Sequence, residues 1–125
     1  DAVVCEFTLD GRFSGAPRFL HGGVLLAVLD EAMAWATIAV AGKFAVTVES
    51  TSRFHRPVKV DRPHVCTARI DTVDGEVILT SAAIVDRFDQ TCVEASARFQ
   101  ALFPAQAAEA IGQELSEAER SFLAE

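Results

Sequence analysis

Positive charge is scarce in this 125-residue chain. Only 11 Lys and Arg stand against 18 Asp and Glu, giving a net charge of −7 and a pI near 4.9. That balance lacks the basic footprint a nucleic-acid partner requires. Cysteine is scarce too: Cys5, Cys66 and Cys92 are an odd number, scattered over apolar stretches, with no CxxC or His-x-Cys spacing. Such a pattern offers no disulfide framework and no zinc site. It predicts three buried free thiols in a reducing cytoplasm, with a disulfide or a catalytic cysteine as the alternative. No membrane span is expected, because Asp30 and Glu31 interrupt the longest apolar run. A secretory leader pattern, internal repeats and linkers are all missing. The expectation is one cytoplasmic domain over residues 1–125.

Half of the residues are hydrophobic, which is ample for a core. Residues 3–9 read as a strand. Residues 10–20 hold two Gly, a Pro and a Ser, and read as a loop. Residues 23–41 form a helix that Gly42 stops. Being apolar nearly all round, it is predicted to be buried rather than to lie on a surface. Residues 44–54, 65–73, 77–87 and 92–103 are rich in Val, Ile, Thr and Phe and alternate imperfectly, as half-buried strands do. Asp74-Gly75 signals a hairpin between two of them. Residues 105–124 read as an amphipathic helix, with a break near Gly112 where Ser116 and Glu119 form a capping box. The economical α+β arrangement is one five-stranded antiparallel sheet curling around the long helix. Such a sheet leaves its edges and part of the helix uncovered, so a partner subunit is the natural cover.

The chemistry concentrates in HGGVLLAVLDEAMAWA. His21, Gly22 and Gly23 open the helix, and their glycines let backbone amides approach a ligand at the positive end of the helix dipole. The bland reading of the pair is a loop-to-helix turn; the sharp one is an oxyanion hole. Two carboxylates inside an apolar helix cost stability unless paired or open to a cavity. Asp30 is the candidate general base or nucleophile, against a plain salt bridge to an Arg. Glu31, about 100° further round, cannot point into the same narrow site and is the alternative acid. His21 is read as an orienting group rather than a general acid. His55 and His64, in a polar stretch, are read as solvated. Arg53, Arg56, Lys59 and Arg62 form the only basic cluster. It is either a phosphate-binding patch or the polar face of a strand and its turn. Thr47 is an ordinary strand residue or a hydroxyl that holds a water or an acid in place.

This segment resembles the signature of hotdog-fold acyl-CoA thioesterases, in the branch of the phenylacetate-pathway and Arthrobacter-type 4-hydroxybenzoyl-CoA enzymes. The likeness runs over roughly residues 3–103, strand order included. The resemblance implies that Asp30, nine residues after His21, is the catalytic base or nucleophile. It implies that the Gly22 amide polarises the thioester carbonyl, that His21 helps position that carbonyl, and that Thr47, ten residues before Pro57, positions the catalytic water. Gly23, from the glycine pair, and Arg56, from the basic cluster, are read as lesser substrate contacts; Gly75 joins them because family pantetheine contacts run near its hairpin. Family members often carry Asn or Gln six residues before the His, where this chain has Gly15.

The function expected is hydrolysis of an acyl-CoA thioester, with no metal or redox cofactor and coenzyme A entering only as part of the substrate. A homodimer with shared active sites is expected, or a dimer of such dimers. Two rivals stand beside it. A hotdog dehydratase or hydratase would pair His21 with Asp30, and a non-catalytic module would bind acyl-CoA or lipid without cleaving it.

Overall fold

The computed structural model describes residues 1–103. The expected helix over 105–124 lies outside them, with its Ser116–Glu119 box and its break near Gly112. The elements in chain order are β1 (Ala2–Phe7), α1 (Gly22–Ala39), β2 (Ala45–Phe54), β3 (His64–Asp74), β4 (Val77–Val85) and β5 (Thr91–Ala101). A 3-10 turn at Gly11–Phe13 interrupts the first loop. The strands form one antiparallel sheet in the order β1-β3-β4-β5-β2, and α1 packs on one face of it. This is the hotdog arrangement.

Alternation in the sequence sets the inward face. On β4, Ile78, Thr80, Ala82 and Ile84 are buried; they pair across the strands with Phe99, Ala97, Ala95 and Val93 of β5. Residues so paired share one side of the sheet. Leu25, Leu29, Met33 and Ala36 recur at helical spacing and meet that side. Alanines 68, 82, 95 and 97 are small enough to let the helix seat closely, while Phe99, Ile78 and Ile84 fill the space around it. Gly42 ends the helix as expected. It takes φ +69°, a left-handed conformation, and its N–H donates to the Ile38 carbonyl. Gly75 takes φ +60° at the first place of the two-residue turn between Asp74 and Val77.

Two expectations are corrected. The helix is not buried all round, because a single five-stranded sheet can cover only one of its sides. Leu26 is 42% exposed and Trp35 54%, although the helix has the length and mean hydropathy, 1.4, of a membrane span. Beside them β2 is a sheet edge of ten residues, with Val46, Val48 and Phe54 also exposed. Nor are all three thiols buried. Cys66 and Cys92 are, but Cys5 is exposed, because β1 is the opposite edge and pairs only with β3.

Candidate active site

The start of α1 is built by His21. Its backbone is extended, and its Nδ1 accepts the Gly23 N–H at 2.9 Å. Accepting there puts the ring proton on Nε2. The His21 carbonyl takes the N–H groups of Val24 and Leu25 at 3.0 and 3.2 Å. The Gly23 amide is therefore engaged by the cap. The Gly22 amide has no acceptor among the described residues and stands at the positive end of the helix. Gly15 packs against the cap: a Cβ there would come within 3.3 Å of the His21 ring. The absence of a longer side chain at that position thus has a local steric reason. Gly22 lines an open cavity of about 310 Å³, walled by Phe19, Leu25, Phe54, Pro57 and Val58, with Arg56 beside them.

Two turns further along α1, the half-buried Asp30 meets β2. Thr47 Oγ1 donates to Asp30 Oδ1 at 2.6 Å, a short charge-assisted bond. The other oxygen, Oδ2, accepts no hydrogen bond among the described residues. A β-bulge at Val48 separates the pairs Thr47–Phe99 and Glu49–Arg98. Bulges re-aim side chains beside functional sites, and this one falls directly after Thr47. Glu31 is exposed and takes no part in this bond.

The structure thus forms two separate half-constellations, Gly22 with Arg56 and Asp30 with Thr47. Eight residues of helix, ~12 Å at 1.5 Å each, divide them. Gly75 belongs to neither. It lies at the tip of the β3–β4 hairpin, where a Cβ would meet nothing within 4 Å.

The basic cluster read from the sequence is divided by the fold. Arg53 stays on β2 opposite Glu94, and Arg56 turns to the Gly22 cavity. Lys59 and Arg62 gather around a second cavity, of about 80 Å³, with Arg87, Phe88, Asp86 and His64. Sequence reasoning missed Arg87, because only the β4–β5 turn brings it to Arg62, and no local signal announces that. The two histidines are not plain solvated groups. His64 is 4% exposed and stacks on Phe7, with its Nδ1 donating to the Arg62 carbonyl at 3.0 Å; it is drawn in because it begins a central strand. His55 Nε2 lies 3.2 Å from Glu94. Burial pushes the Cys66 thiol up to about 12, with the neighbouring Cys5 adding to the effect. Among the described residues, no three His, Cys, Asp or Glu side chains converge to hold a metal.

The model of the thioesterase superfamily matches residues 18–93. That span holds both half-constellations. The human acyl-coenzyme A thioesterase THEM5 is 31% identical over 88 residues, which is 70% of this chain and 35% of that protein. A solved thioesterase superfamily protein is 31% identical with a TM-score of 0.74, over 79% of this chain and 48% of the other. The Escherichia coli PaaI protein, from the phenylacetic acid degradation operon, shares the fold at 22% identity. Its TM-score is 0.76, with 81% and 72% of the two chains covered. The chain therefore spans about a third of the length of THEM5 and about half of the first solved relative. With the family model matched over more than half of its residues, this chain belongs to the thioesterase superfamily.

Proposed function

We propose that the chain hydrolyses an acyl-CoA thioester to the free acid and coenzyme A. The observation that carries this reading is the 2.6 Å bond from Thr47 to Asp30. It holds one carboxylate oxygen and leaves the other to meet water or the substrate. Asp30 takes a proton from that water as it attacks the carbonyl carbon, or attacks that carbon itself, in which case a water afterwards hydrolyses the acyl anhydride left on Asp30 once the thiolate has gone. The oxygen of the carbonyl becomes an oxyanion, and a preorganised amide such as that of Gly22 stabilises it. Collapse breaks the C–S bond, and the coenzyme A thiolate leaves and takes up a proton. His21 acts through the helix cap, and Arg56 stands beside the Gly22 cavity. Membership of the superfamily and the likeness to an acyl-coenzyme A thioesterase support the substrate class.

The active site is shared between two copies of the chain. A base and an oxyanion donor acting on one carbonyl must each come within ~3 Å of their reacting atoms. Gly22 and Asp30 of one helix lie too far apart for that. Leu26, exposed, is halfway between them. A two-fold axis beside Leu26 brings Gly22 of one copy towards Asp30 of the other. The same pairing covers the unpaired edge of β2 and its exposed Val46, Val48 and Phe54. Two such dimers can associate further. The reading places the protein in the cytoplasm and asks for no metal or redox cofactor. Thiol release over a panel of acyl-CoA thioesters tests it. A folded protein that binds such thioesters and releases no thiol from any of them is a binding module instead.

A further inference from the structure

We infer that Cys5 and Cys66 are a redox modification site. A low-molecular-weight disulfide oxidises them to a cross-strand disulfide that clasps the edge strand β1 to β3. The pair lies apart from the proposed chemistry, since β1 and β2 are opposite edges of the sheet.

Register is the first argument. β1 and β3 pair without a shift from Ala2 and Arg69 to Phe7 and His64, and Cys5 stands directly opposite Cys66. Directly opposed residues of an antiparallel pair lie ~4.5 or ~5.5 Å apart at Cα, according to whether they exchange backbone hydrogen bonds. Both spacings fall inside the ~4.4–6.8 Å that a disulfide bridges. Opposed side chains also project to the same side of the sheet. The next pair on that side, Phe7 and His64, stack with ring centroids 6.0 Å apart, so side chains do meet across this seam. Cys92 has no such neighbour. It lies on β5, and β4 separates β5 from β3. Two strand spacings are ~9.6 Å, beyond the reach of a disulfide.

Access is the second argument, and it gives the two thiols different roles. Cys5 is exposed on the sheet edge, whereas Cys66 belongs to the hydrophobic core. A dissolved oxidant therefore meets Cys5 first, and Cys66 is reached through its neighbour. Burial, and then the charge of Cys5, push the Cys66 thiol up to about 12. The second of these effects ends once Cys5 is held in a mixed disulfide. Attack by Cys66 on that disulfide is intramolecular, and the high local concentration offsets its small thiolate fraction. Cys5 is the attacking thiol and Cys66 the resolving one.

The chemistry is two thiol–disulfide exchanges. The Cys5 thiolate attacks one sulfur of the small disulfide, the S–S bond breaks, and the first small thiolate leaves and takes up the proton that Cys5 gave up. The Cys66 thiolate then attacks the Cys5 sulfur. The mixed S–S bond breaks, the second small thiolate leaves, and it takes up the proton of Cys66. Two cysteine sulfurs are oxidised by two electrons in all, and one small disulfide is reduced to two thiols. The new bond ties an edge strand that is hydrogen-bonded on one side only. It also closes a loop of ~60 residues, which restricts the unfolded chain.

The test incubates the full chain with glutathione disulfide, quenches it in acid and maps it by mass spectrometry without reduction. The wild type should become lighter by two hydrogens and carry no glutathione, with the peptide of Cys5 joined to that of Cys66. Cys66→Ala should instead keep glutathione on Cys5, and Cys5→Ser should take up none in the same time. The oxidised wild type should melt about 5 °C or more above the reduced protein, and dithiothreitol should abolish the difference. A wild type that stays reduced, that retains glutathione on Cys5, or that joins Cys5 to a second copy or to Cys92 overturns the inference. A Cys5–Cys66 bond that leaves the melt unchanged overturns the clasp. Should Cys66→Ala not fold, the map and melt of the wild type decide alone.

Discussion

Replacing Gly22 by Pro removes one hydrogen atom from the proposed reaction and very little else. Gly22 is the first residue of α1, the one helical position where Pro is favoured. His21 before it sits at φ −63° and ψ 137°, an extended conformation that a following Pro accepts. The Gly22 N–H bonds to nothing among the described residues, so no helical bond is lost. A Cβ at this position meets Phe54 at 3.7 Å, an ordinary contact. By stiffening the unfolded chain, the substitution should leave stability unchanged or raise it by about 0.4–1 kcal/mol. Losing one oxyanion donor should lower kcat by ~10²- to 10³-fold, about 3–4 kcal/mol of transition-state stabilisation. Gly22→Ala is the control, since it adds the same Cβ and keeps the N–H, and it should stay within a few-fold of wild type. The assay is thiol release from a saturating acyl-CoA, with a thermal melt alongside. A Gly22→Pro protein that melts normally and turns over within a few-fold of wild type would refute the oxyanion role.

Asp30→Asn keeps the volume of the side chain and removes the base, so hydrolysis should fall by at least ~10²-fold with the melt intact. Near-normal turnover would move the role to Glu31 or end the mechanism. Thr47→Val removes the 2.6 Å bond and should cost about 10-fold or more in kcat, the scale of a hydrogen bond to a charged group, and Thr47→Ser should restore most of it. Mixing Gly22→Pro with Asp30→Ala under conditions of subunit exchange should return roughly a quarter of wild-type activity, because each mixed dimer has one intact and one doubly defective site. No recovery despite proven exchange would rule out the shared site. In the native protein one thiol, Cys5, should react quickly with a disulfide reagent, and Cys66, its thiol pushed up to about 12, slowly. Activity should survive both this labelling and EDTA; loss restored by a divalent ion would recast Asp30 as a metal ligand.

Local signals made much of this legible in the chain. Alternation in the strands, the Asp74-Gly75 turn, the Gly42 stop and the His-Gly-Gly start each act over a few residues, and each stands where it was expected. The candidate acid was legible for a related reason, because a carboxylate in an apolar helix is costly wherever that helix packs. The Thr47 hydroxyl was legible as a candidate, but its partner was not. The separation of 17 positions between Asp30 and Thr47 is closed by the packing of β2 against α1, and the bulge at Val48 has no sequence mark.

Pattern and composition by themselves determined the elements and their antiparallel arrangement, since periodicity and turn chemistry are properties of neighbouring residues; the family was legible only through the resemblance of residues 21–36 to a known signature. Only the tertiary structure decided which cations stand together, which histidine is buried and which thiol is exposed. It sent Arg53 to one side of the molecule and joined Arg62 to Arg87, 25 positions away. It exposed Cys5 on one edge of the sheet and left β2 open on the other. These outcomes depend on where the sheet ends and what the helix leaves uncovered. Burial and charge proximity are set by contacts distant in sequence, and no short stretch of residues encodes them.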